Sequence, residues 1–109
     1  MHAEIYEKLK EVARSQGIIY YSDIAPMAGL NMDLPSDRYA IGVILDEINR
    51  REHAQGRPML SAVVVHKDSL KPGQGFFTLA RSLGKLVGND EDSFYIRELR
   101  KVHDYWASR

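Results

Sequence analysis

The stretch from Arg57 to Phe77, RPMLSAVVVHKDSLKPGQGFF, decides the fold that the sequence predicts. Leu60 to Val65 is a β-branched run that is apolar on both faces, which suits a strand covered by helices on at least one side. The segment from Lys67 to Gly75 cannot continue this strand, because Pro72 lacks an amide proton for the ladder and glycines follow it. We therefore predict a β-hairpin, with Lys67 to Gly75 as its projecting loop.

Helical patterns lie on both sides of this hairpin. Three helices are predicted before it, over His2 to Ser15, from Ser22 or Asp23 to Gly29, and from Ser36 or Asp37 to about Ala54. Two are predicted after it, from Phe77 to Gly84 or Gly88 and from Asp92 or Ser93 onward. The β formers Ile18 to Tyr21 are predicted to pair beside the hairpin. This order predicts an α+β winged helix-turn-helix with a β-hairpin wing and two extra C-terminal helices.

Size and composition predict a single domain and exclude several chemistries. A chain of 109 residues with 44% apolar content supports one small core, so residues 1–109 form one domain. Its winged-helix core is predicted over about 3–77, and the C-terminal helices over about 77–108. The absence of cysteine excludes disulfides, thiolate nucleophiles and cysteine-ligated zinc. No signal peptide or membrane-length apolar run is present, so we expect a cytoplasmic protein.

The charged residues give no global signal for nucleic acid. Fifteen basic and fifteen acidic residues cancel, so only a local patch would displace counterions from phosphates. Such a patch is predicted on the third helix and the wing. Arg38, Asn49, Arg50 and His53 are expected to face a groove, and Lys67 and Lys71 to contact phosphates. Asp46, Glu47 and Glu52 are predicted to share the helix surface and to oppose binding.

The sequence offers little catalytic chemistry. The histidines are too far apart for a metal motif, and no cofactor-binding pattern is present. His66 and Asp68 alternate along the predicted strand, so a carboxylate there would orient an imidazole. A solvated hairpin end is the favoured explanation of this pair, and we expect a non-enzymatic protein.

The last helix carries an apolar stripe with two alternative roles. Tyr95, Leu99, Val102 and Trp106 recur at helical spacing. The stripe either docks on the core of the chain or forms the face of a homodimer.

Three short stretches carry a resemblance to a known family. They are Tyr20-Tyr21-Ser22-Asp23-Ile24-Ala25, Tyr39-Ala40-Ile41-Gly42 and Pro58-Met59-Leu60-Ser61-Ala62-Val63. Ile5 to Phe77 resembles the DNA-binding lobe of the alkylguanine-DNA alkyltransferase and alkyltransferase-like family. The corresponding family stretches read Ser-Tyr-Gly-Glu-Ile-Ala, Arg-Ala-Val-Gly and Pro-Cys-His-Arg-Val-Val. The chain is also similar to uncharacterised bacterial proteins with Gly-Arg-Pro and Pro-Gly-x-Gly-Phe-Phe signatures, which implies no activity.

The resemblance implies contact with DNA but not alkyl transfer. Met59 occupies the alkyl-accepting position, and a thioether cannot be activated as a thiolate is. Tyr21 matches a DNA-contacting residue of the family, and Tyr39 falls at its intercalating arginine. The resemblance thus implies a second mode of DNA binding, base extrusion. In this mode Tyr39 would be the wedge that displaces a base, and Tyr21 would contact a phosphate.

Taken together, these features favour a non-enzymatic protein that binds double-stranded DNA through the third helix and the wing. The alternative is a protein-interaction or dimerisation module on the same scaffold without DNA binding.

Overall fold

The computed structural model describes residues 1–109 as an α+β fold, which confirms the predicted fold class. In chain order the elements are α1 (Ala3–Arg14), β1 (Ile19–Tyr20), α2 (Tyr21–Ile24), a 3₁₀ helix (Ala25–Ala28), α3 (Pro35–Ala54), a second 3₁₀ helix (Leu60–Val63), β2 (Val64–Val65), α4 (Gln74–Ser82) and α5 (Glu91–Trp106). None of these helices has both the length and the apolar character that crossing a bilayer requires.

The apolar faces of α1 and α3 form much of the core. Ile5 and Leu9 of α1 are fully buried, and Ile41 and Ile48 of α3 are at most 1% exposed. These side chains surround the Leu60–Val65 run, every residue of which is buried. The segment that decides the fold is therefore the centre of the core, where removal of apolar surface from water stabilises the structure.

The predicted β-hairpin is wrong. Leu60–Val63 forms a 3₁₀ helix, and only Val64–Val65 is strand. No second strand follows, because the chain enters α4 at Gln74, earlier than the predicted start at Phe77. The rings of Phe76 and Phe94 lie 6.1 Å apart, so α4 is fixed against α5 instead of returning along β2.

The partner of β2 is β1, and the two strands are parallel. Ile19 pairs with Val64 and Tyr20 with Val65. This confirms that β formers near Ile18 to Tyr21 pair with the apolar run. A parallel pair needs a long crossover, which α2 and α3 supply here. Parallel pairing also suits β2, because β2 is a strand that is buried on both faces.

A compact loop stands where the wing was expected. The His66 backbone N–H donates to the Lys71 carbonyl at 2.8 Å, and the Leu70 N–H donates to the His66 carbonyl at 2.9 Å. Leu70 has a left-handed backbone with φ 57°, and its side chain is 52% exposed. We call residues 66–73 the β2–α4 loop.

The C-terminal stripe docks on the core, so it does not supply the homodimer face. Tyr95, Val102 and Trp106 are no more than 7% exposed, and Leu99 is half-buried. The Tyr95 hydroxyl donates to the Ala62 carbonyl at 3.0 Å, which ties α5 to the second 3₁₀ helix. Burial of this ring raises the pKa of Tyr95 to about 12.

Candidate functional site

An open cleft separates α3 from the β2–α4 loop. Its volume is about 420 Å³, within the range of small-ligand sites. The wall on α3 includes Arg38, Tyr39, Gly42, Val43 and Asp46, and the opposite wall includes Tyr21, His66, Gly73, Gly75 and Phe76. A smaller cleft of about 260 Å³ adjoins it and is also lined by Arg38 and His66. We call the larger space the α3 cleft.

Two glycines line the α3 cleft at positions with free space beside them. A Cβ added at Gly42 or at Gly75 would meet no heavy atom within 4 Å. Gly42 lies inside α3, where glycine is less favourable than alanine by about 1 kcal/mol. Packing in the chain does not explain this glycine, so the free space beside it is available to an approaching molecule.

The inner end of the cleft is built on a buried pair of hydrogen bonds. The Asn49 side-chain amide donates to Ser61 Oγ at 2.7 Å, and the Ser61 backbone N–H donates to Asn49 Oδ1 at 3.0 Å. Asn49 is 1% exposed. The expectation that Asn49 faces a DNA groove is therefore wrong, because both functional groups of its side chain are engaged inside the protein.

Tyr21 forms the opposite wall and is already engaged within the chain. Its hydroxyl accepts the Gly73 N–H at 2.8 Å, and its ring centroid lies 4.5 Å from that of His66. Burial raises the pKa of Tyr21, the Gly73 N–H lowers it less strongly, and the carboxylate of Asp46 raises it further. Tyr21 therefore positions the β2–α4 loop, and only part of its surface is free to contact a ligand.

His66 and Asp68 do not form the pair that their spacing suggested. The His66 ring stacks on Tyr21, while Asp68 Oδ1 accepts the Ser69 N–H at 2.8 Å. No hydrogen bond joins the imidazole to the carboxylate. The physical reason is that the chain turns at His66, so the two residues do not continue a strand and do not share a face.

The basic residues near the cleft differ in whether they are already paired with an acidic residue of the chain. Arg38 and Lys67 make no ion pair, and both line the smaller cleft. Lys67 Nζ lies 5.6 Å from the centre of the Tyr20 ring. Lys71 Nζ is instead paired with Asp92 at 2.7 Å on the surface. Arg38 and Lys67 are therefore the two unpaired cations at the mouth of the site.

The exposed face of α3 continues the site from the cleft wall along the helix. Tyr39 is 76% exposed and Val43 is 51% exposed, and Arg50 and His53 lie further along the helix in solvent. Since 100° separates successive residues, Tyr39, Val43, Asp46 and Arg50 form a single stripe. Three lining residues were not predicted as site residues: Gly42, Val43 and Asp46. The helical spacing of Val43 and Asp46 from Tyr39 is the sequence signal that could have indicated two of them.

The acidic residues of α3 oppose an anionic partner less than the sequence suggested. Glu52 is fully buried and bound by Arg57, so it does not lie on the surface. Asp46 is half-buried in the cleft wall and makes no hydrogen bond or ion pair in the chain. Burial raises the pKa of Asp46, and Arg50 lowers it to a smaller extent.

The fold and the site define an α+β protein with an open cleft beside an exposed helix face. Comparison with protein-family models, curated proteins and solved structures found no match. Function is therefore inferred from the geometry of this chain and from the residues that its sequence singles out.

Proposed function

We propose that the protein binds double-stranded DNA, without acting on it as an enzyme, through the outer face of α3 and the β2–α4 loop. In this proposal α2 and α3 act as a helix-turn-helix, and the loop replaces the hairpin wing of a winged helix. The observation that carries the proposal is the exposed stripe of α3 beside the unpaired cations Arg38 and Lys67.

The charges of this surface suit a duplex better than the composition of the chain suggests. Arg38 and Lys67 both line the smaller cleft, and in this proposal they contact the phosphate backbone there. Arg50 and His53 lie further along α3, where they would meet the duplex beyond the cleft. Lys71 and Asn49 no longer belong to the proposed contact surface, because both are engaged within the chain.

The α3 cleft favours a second form of the same function, in which one nucleotide is extruded. Tyr39 is 76% exposed at the edge of the cleft, as a wedge residue must be. Tyr21 keeps its hydroxyl proton to donate to a phosphate, but its ring stacks on His66 and only part of the residue is exposed, so it fits this accompanying role less well than Tyr39 fits the wedge. Plain duplex binding therefore remains the primary proposal.

The alternative is a protein-interaction module at this same surface. Leu34, Tyr39 and Val43 are 49%, 76% and 51% exposed, so the α3 face has apolar area that a partner would bury. The buried stripe of α5 is not part of this alternative.

Fluorescence anisotropy with a labelled mixed-sequence duplex tests the proposal. We expect binding that weakens steeply between about 50 mM and about 200 mM salt, because bound phosphates release counterions. The variant Arg38→Glu/Lys67→Glu should bind about tenfold or more weakly, and its slope of log K against log salt should fall by about 2.

The control is Arg100→Glu/Lys101→Glu, which makes the same change of charge on exposed positions of α5, outside both clefts. It should leave the affinity within about twofold of the unaltered protein if contacts at the site determine binding. Equal weakening by both variants would contradict the assigned surface. Absence of binding at the lower salt concentration would reject DNA as the partner and favour the protein-interaction module.

A further inference from the structure

General DNA affinity does not explain why Asp46 lies on the α3 face. It lies in the exposed stripe between Val43 and Arg50; the charge of Arg50 acts on it, but it makes no hydrogen bond or ion pair in the chain. A carboxylate on a surface that approaches phosphates weakens sequence-independent binding. The burial that raises its pKa adds a desolvation penalty. A directed hydrogen bond from a ligand is the contact that would offset both effects.

Arg50 is placed to act together with Asp46. The two residues are one helical turn apart on the same face, with about 6 Å of rise between them. Their separation matches about two base-pair steps of B-DNA. Arg50 makes no ion pair, so its guanidinium remains free to donate to a ligand.

This inference rests on the proposed DNA binding and adds sequence preference to it. We propose that Asp46 and Arg50 read base edges in the major groove, at a site that contains cytosine and guanine. Asp46 accepts a hydrogen bond from the N4 amino group of a cytosine, and Arg50 donates to O6 and N7 of a guanine. The major groove is the groove that admits an α-helix, and the exposed stripe of α3 would lie along its floor.

The first experiment is selection from a randomised duplex library, followed by anisotropy titration of the selected duplex and of single-base substitutions. We expect a cytosine and a guanine at nearby positions, each preferred over other bases by roughly tenfold. Replacement of the guanine by 7-deazaguanine should weaken binding, since it removes the N7 acceptor. Arg50→Ala should abolish this sensitivity.

Asp46→Ala and Glu47→Ala each remove one negative charge from adjacent positions of α3, and they differ in that Glu47 pairs with the N-terminal amino group at 2.9 Å while Asp46 makes no ion pair. Both should bind unrelated duplexes more tightly, because repulsion of phosphates is reduced. Only Asp46→Ala should also lose the preference for cytosine. If Asp46→Ala and Glu47→Ala raise affinity equally for every duplex, the inference is wrong while DNA binding stands. If the library yields no preferred sequence, the inference is also wrong; if no duplex binds at all, DNA binding itself fails.

Discussion

Replacing Glu98 with alanine should lower the free energy of unfolding by about 3–5 kcal/mol, as expected when one partner of a buried ion pair is removed. Glu98 is 1% exposed on α5. Its Oε2 atom accepts the Met59 backbone N–H at 2.9 Å and pairs with Lys85 Nζ at 2.6 Å. The substitution leaves a buried N–H and a largely buried ammonium group without an acceptor.

Urea unfolding followed by circular dichroism measures this effect. The control is Glu7→Ala, because Glu7 pairs with Lys10 at 2.6 Å but is 64% exposed. Solvent screens that pair, so its loss should change stability by less than about 1 kcal/mol. Similar small effects of both substitutions would show that Glu98 does not hold α5 against the segment before the second 3₁₀ helix.

Asn49→Ala should destabilise the protein by about 2–3 kcal/mol, because it leaves the buried Ser61 N–H without an acceptor. It also removes the donor that reaches Ser61 Oγ at 2.7 Å. Ser61→Ala should cost less, since its backbone N–H would still donate to Asn49. Thermal or urea unfolding of both variants measures which of the two substitutions lowers stability more.

Arg50→Ala is the matched control for Asn49→Ala, since Arg50 is the next residue of α3 but is exposed. It should change stability by no more than about 0.5 kcal/mol. If Asn49→Ala and Arg50→Ala are equally mild, the Asn49–Ser61 pair does not support the cleft. Because Asn49→Ala lowers stability, any loss of DNA binding in that variant reports on the fold and not on base contact.

The parts of the fold that local periodicity controls were predictable. Ile41, Leu45 and Ile48 recur at the spacing of a helix face that packs on a core, and all three are buried. The pairing of the Leu60–Val65 run was not predictable in the same way. A run that is buried on both faces suits a parallel pair as well as a hairpin, and packing of α4 decides between them.

Buried polar residues explain the main error at the site. Asn49 and Glu52 follow Leu45 by four and seven residues, so they lie on the buried stripe of α3. Glu98 lies between Tyr95 and Val102 on the buried stripe of α5 in the same way. The polar or charged side chains of Asn49, Glu52 and Glu98 predict exposure to solvent, whereas their helical spacing from apolar residues predicts burial. Spacing was the better guide, but their partners come from distant segments that no local pattern identifies.

Two-dimensional ¹H–¹⁵N NMR with an unlabelled mixed-sequence duplex at low salt maps the DNA-binding surface residue by residue. Binding through α3 and the β2–α4 loop predicts that the largest shift changes fall on Tyr39, Val43, Arg50 and Lys67, while amides of the exposed face of α5 change little. Changes centred on Arg100 and Lys101 of α5, or no changes at all, would contradict this account.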